Sequence, residues 1–184
     1  MSKTFSKALM MSEDVKSYVG SCIFQANSVN APVSDGALVT LGNLVADTTY
    51  AATGDYDWNL YIATAPAAVT DDVAIIDLAE ISAGTIGGNN YKIGVQIFDL
   101  VQAAGKPARF RRLAKYDKFW LSAGCFATTP TVGKFAGATA SSVNHTPADT
   151  KPVSGYAVKI QAKTALTTGN VSAEDNYLVE VVQL

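Results

Sequence analysis

Apolar and polar residues alternate with a period of two through most of the chain from Gly20 onward. Across residues 91–98, Tyr91, Ile93, Val95 and Ile97 fall on one face, with Lys92, Gly94 and Gln96 opposite. Tyr156, Val158, Ile160 and Ala162 alternate in the same way with Ala157, Lys159, Gln161 and Lys163. Successive side chains of a strand point to opposite faces, so both segments are predicted as half-buried strands. Residues 73–78 and 177–184 are nearly continuous apolar runs, as expected of strands covered on both faces. Further strands are predicted over residues 21–25, 37–41, 58–63, 109–113 and 118–123.

Turn chemistry separates these segments. Ser34-Asp-Gly36, Thr53-Gly-Asp55, Gly87-Gly-Asn-Asn90, Gly105-Lys-Pro107 and Thr168-Gly-Asn170 each combine residues that accept positive φ or bond their own backbone. Many short strands with such punctuation predict an all-β fold, a single β-barrel or β-sandwich domain. The stretch 128–154 holds Pro130, Pro147 and Pro152 and reads as one long loop. Residues 1–19 carry all three methionines and show no clean period, so they read as an N-terminal arm before a domain over 20–184. A short helix over 13–18, capped by Ser12, is possible there. Such arms fray or dock on a neighbouring chain.

Composition sharpens the picture. The 184 residues are enough for one domain that holds its core without a metal or disulfide. They are 48% hydrophobic and 16% charged, well below the usual charged share of about 25%. Either a partner covers part of the surface, or Thr, Ser and Asn replace charge on a monomer. The net charge of −2 gives no long-range attraction to nucleic acid or membrane, and no apolar run approaches bilayer length. Lys3 and Lys7 interrupt the first twelve residues, which therefore do not read as a secretory signal. Cys22 and Cys125 sit among apolar neighbours, where buried and inert thiols are expected.

Candidate chemistry is sparse. The lone histidine, His145, lies among Ser, Asn, Thr and Pro and reads as a solvated loop residue rather than the partner of a catalytic thiol. With one His and two separated Cys, no metal site is expected; no phosphate-binding, dinucleotide-binding or nucleophile-elbow motif is present either, so no catalytic residue and no cofactor are assigned. Asp55 and Asp57 beside Trp58, and Asp71 with Asp72, precede strands, where aspartate serves local backbone hydrogen bonding. The sequons at Asn144 and Asn170 read as chance matches in a chain rich in Asn, Ser and Thr.

The sharpest charge feature is Arg109-Phe-Arg-Arg-Leu-Ala-Lys-Tyr-Asp-Lys-Phe-Trp120. Five basic residues and one acidic residue put +4 here in a chain of net −2, leaving −6 on the remainder. Basic residues interleaved with aromatics can bind single-stranded nucleic acid. The alternative is a hairpin with its aromatics in the core and its cations facing solvent or an acidic neighbour, and the acidic remainder favours it. A strip and remainder of opposite sign also suit self-association or an acidic protein partner.

The segments Gly36-Ala-Leu-Val-Thr-Leu-Gly42, Tyr61-Ile-Ala-Thr-Ala-Pro66, Lys115-Tyr-Asp-Lys-Phe-Trp-Leu-Ser122, Pro130-Thr-Val-Gly-Lys-Phe135 and Tyr177-Leu-Val-Glu-Val-Val182 resemble the decoration, or cement, proteins of tailed-bacteriophage heads. The resemblance spans residues 35–184 and lies in general texture rather than in a chemical motif. It implies a β-rich virion protein, made in the host cytoplasm, that forms a homo-oligomer on the capsid surface and binds the major capsid protein. Contacts are then expected from Lys3, Phe5, Lys7, Arg109, Arg111, Arg112 and the loop around His145. Another virion part, such as a tail-tube subunit or head fibre, is the nearest alternative. A carbohydrate-binding sandwich that stacks sugars on Trp58, Tyr61 or Trp120 is the third.

Overall fold

A computed structural model describes residues 5–9, 19–45, 60–78, 85–86, 89–90, 101–166 and 174–184. The possible helix at 13–18, the strand expected at 91–98, the turns at 53–55 and 168–170, and Lys3, Asp55, Asp57 and Trp58 lie outside them.

The described chain is all-β. One sheet closes on itself: β2 (Val19–Ala26), β5 (Leu38–Leu44), β6 (Leu60–Thr64), β7 (Val73–Ile76) and β11 (Ala108–Arg112) run in the order β11-β7-β5-β6-β2, and β11 pairs again with β2. The result is a five-stranded barrel. Its β2–β6 pairing is parallel and the other four are antiparallel. Closure removes the strand edges that would otherwise invite aggregation. The short β3 (Val29–Asn30) folds back on β2 through Asn27 and Ser28, both at positive φ. Two small ribbons are separate from both large sheets, β4 (Val33–Ser34) with β10 (Val101–Gln102), and β8 (Thr85–Ile86) with β9 (Asn89–Asn90).

The second sheet is open and has six strands in the order β1-β12-β16-β15-β13-β14. These are β1 (Phe5–Leu9), β12 (Lys118–Ser122), β13 (Phe135–Gly137), β14 (Thr146–Ala148), β15 (Ala157–Leu166) and β16 (Glu174–Gln183). Within the expected arm, Phe5–Leu9 is a strand on this chain's own β12, with Phe5 opposite Leu121. The stretch 128–154 is likewise not one loop, because β13 and β14 cross it and extend the sheet.

Period two explains both cores. On β7, Ala74 and Ile76 point into the barrel with Cys22, Phe24, Val39 and Phe110. Val73 and Ile75 point outward with Leu38 and meet Phe119, Leu121, Tyr156, Val158, Ile160, Tyr177, Val179 and Val181 of the open sheet. Residues 73–76 are therefore covered on both faces, as their unbroken apolar run requires. Residues 177–184 behave differently: Tyr177, Val179 and Val181 are buried while Leu178 and Val182 are only half-buried. Deleting an aromatic such as Phe119 from this seam should cost about 3–5 kcal/mol.

Candidate functional site

The basic strip is not a hairpin. Its first half is β11, in the barrel; its second half is β12, in the open sheet. Phe110 and Phe119 are both buried, as expected, but in two separate cores rather than one. The acidic neighbours of the strip are in the same chain. Arg109 Nε donates to the Asp77 carbonyl oxygen at 2.9 Å, and its Nη2 lies 3.0 Å from Oδ1. Arg111 Nε and Nη2 each lie 3.4 Å from Asp77 Oδ2. Arg112 Nη1 reaches Asp72 Oδ2 at 3.0 Å, and Lys118 faces Glu180. Asp71 accepts the N–H groups of Ala67 and Ala68, the local backbone role expected of it.

This changes the expected contact set. Arg111 is 3% exposed, so its guanidinium neutralises Asp77 at the seam rather than reaching an outside partner. His145 is fully buried, which overturns its reading as a solvated residue. Its backbone explains the burial: His145 N–H donates to Cys125 O, and Ala127 N–H donates to His145 O, so the loop is stitched beside Phe126. The imidazole packs between Phe126 and Tyr156, with Nδ1 3.4 Å from the Tyr156 hydroxyl. Arg109 and Arg112 stay partly exposed. Phe5 and Lys7 are placed on β1, at the edge of the open sheet.

The thiols are held in separate cores. Cys22 lies in the barrel, where burial pushes its pKa up to about 12. Cys125 lies in the seam, its Sγ 3.8 Å from Ser122 Oγ. Burial, and then the neighbouring Cys125, raise the Tyr156 phenol well above its ordinary range. Among the described residues no group of three His, Cys, Asp or Glu side chains is placed to hold a metal ion, and no helix is long and apolar enough to cross a membrane. Tyr61 packs edge-to-face on Phe110, and Trp120 is half-buried between inward Phe119 and Leu121. Tyr61 thus has a packing partner, while Trp120 lies on the face of β12 opposite Phe119 and Leu121.

Two surface features were not legible beforehand. The first is a groove of about 370 Å³ between β13, β14 and the loop 152–154, lined by Val69, Thr139, Ala148, Pro152, Val153 and Tyr156. Val153 on its rim is 100% exposed and Val69 is 49% exposed. Beside it, Gly155 at φ +73 packs against the Val69 backbone, where an added Cβ would fall 1.9 Å from the Val69 carbonyl oxygen. Only Pro152 hinted at this in the sequence. The second is the turn from Ala114 to Asp117, which carries Tyr116 at φ +79 with 54% of its surface exposed. No Gly or Asn marks it, so nothing in the residue types announces the left-handed backbone.

No protein-family model, no curated protein and no solved structure matches this chain.

Proposed function

We propose that this chain is a virion structural protein that decorates a tailed-bacteriophage capsid and reinforces it by binding the lattice of major capsid protein. The observation that carries the proposal is the apolar rim of the groove, where Val153 is fully exposed and Val69 half-exposed beside a lining without charged residues. Exposed apolar side chains beside an uncharged groove favour burial against another protein. The closed barrel and the sheet packed on it supply a rigid frame, which lowers the ordering cost of association. The resemblance of residues 35–184 to head decoration proteins adds the shell as partner and a homo-oligomer as the working form. Binding the assembled shell and not its free subunits then stabilises the shell by mass action.

The test mixes the purified chain with expanded and unexpanded capsids built from the shell protein of the same genome, followed by sedimentation. The chain should pellet with expanded capsids. Val153→Asp should weaken pelleting at least about tenfold, the size of a well-packed apolar contact, without lowering Tm. Pelleting with neither form contradicts the proposal.

A further inference from the structure

Tyr116 occupies a backbone conformation that suits glycine, yet it carries a large ring and is 54% exposed. The turn is held from four directions. Asp117 N–H donates to Ala114 O at 3.1 Å, Ala114 N–H to Asp117 Oδ2 at 2.8 Å, Tyr116 N–H to Val181 O at 2.8 Å, and Val181 N–H to Asp117 O at 2.9 Å. Asp117 is fully buried, so the turn is anchored in β16 and cannot relax cheaply. A bulky residue at positive φ is strained, and such strain persists only where the surroundings over-determine it. Among the described residues, the other non-glycine residues at positive φ are Asn27, Ser28 and Ser141. Asn accepts that conformation readily and a small Ser side chain crowds it less, whereas a tyrosine does not fit. The ring stands out from the surface, and the exposed Lys115 ammonium lies 5.1 Å from its centroid. Lys115 has no carboxylate partner among the described residues, whereas Arg109, Arg111, Arg112 and Lys118 each face one.

We infer that Tyr116 and Lys115 form a preorganised contact point for a carboxylate-bearing strip on the shell protein, an inference that rests on the shell-binding function proposed above. A fixed aromatic loses little side-chain entropy on binding, and aromatic anchors dominate interface energetics. The adjacent ammonium supplies the charge that selects an acidic partner.

The experiment measures binding of the full chain to expanded capsids at several salt concentrations, alongside thermal unfolding. Tyr116→Gly relieves the strained backbone and should raise Tm by about 2–4 °C, while weakening binding at least about tenfold. Tyr116→Phe keeps the ring and should bind within about threefold of wild type. Lys115→Glu, on an exposed side chain, should weaken binding and reverse the sign of its salt dependence. Tyr116→Gly binding as wild type does, or melting below it, overturns this inference and leaves shell binding standing. A wild-type chain that fails to bind any capsid overturns both.

Discussion

Arg111 and Asp77 form an ion pair in which both side chains are 3% exposed, with Nε 3.4 Å from Oδ2. The pair sits where the barrel's outer face meets the open sheet, and Arg109 grips the other oxygen of the same carboxylate. Taking two charges out of water is costly, and mutual neutralisation only offsets that cost. Removing one partner is therefore worse than removing both. Asp77→Leu should destabilise the chain by about 3–5 kcal/mol, while the double change Asp77→Leu with Arg111→Met should recover much of the loss. Urea unfolding of Asp77→Leu, Arg111→Met and the double variant checks this. Additive losses would show that the pair is not coupled.

How much of this was readable beforehand depends on whether a feature is local. Tyr156, Val158 and Ile160 face the core because strand geometry forces alternate residues together, and that is visible in the residues alone. The unbroken Val73–Ile76 run likewise announces a strand covered twice. Barrel closure was not legible, because pairing β11 with both β7 and β2 joins segments that are distant along the chain. His145 misled for the same reason. Its polar neighbours describe a loop, but the contacts that bury it come from Cys125, Phe126 and Tyr156. The basic strip was legible in composition but not in pairing, since Asp72 and Asp77 lie on another strand's flanks.

Cys22 gives the chain an alkaline limit. Its thiol is raised in the fold from 9.0 to about 12 by burial. A group with a raised folded pKa stabilises fully below its unfolded value, and that stability falls as pH climbs toward the folded value. Between about pH 9 and 12 the unfolded chain loses this proton first, so stability should drop by up to about 1.4 kcal/mol per pH unit. Cys22→Ala should flatten the decline that begins near pH 9, leaving the later contribution of Tyr156. Unfolding free energy measured across that range decides it; an unchanged slope in the variant contradicts the assignment. At pH 8 the native thiol should also resist alkylation until the chain unfolds.

Gly155 and Gly133 separate a clash from simple backbone strain. Both have positive φ, at +73 and +86. An added Cβ at Gly133 meets nothing within 4 Å, whereas at Gly155 it runs into the Val69 carbonyl group. Gly133→Ala should cost about 1–2 kcal/mol. Gly155→Ala should cost more and should open the groove, because either Val69 or the loop must move. Equal losses in calorimetry would mean that the two loops are not packed as described.

The proposed role as a shell component is tested most directly by counting copies of this chain in purified virions by quantitative mass spectrometry. Hundreds of copies per particle, in fixed proportion to the major capsid protein, is the predicted result. Its absence from washed particles, or a stoichiometry of about a dozen, would contradict a decorating function.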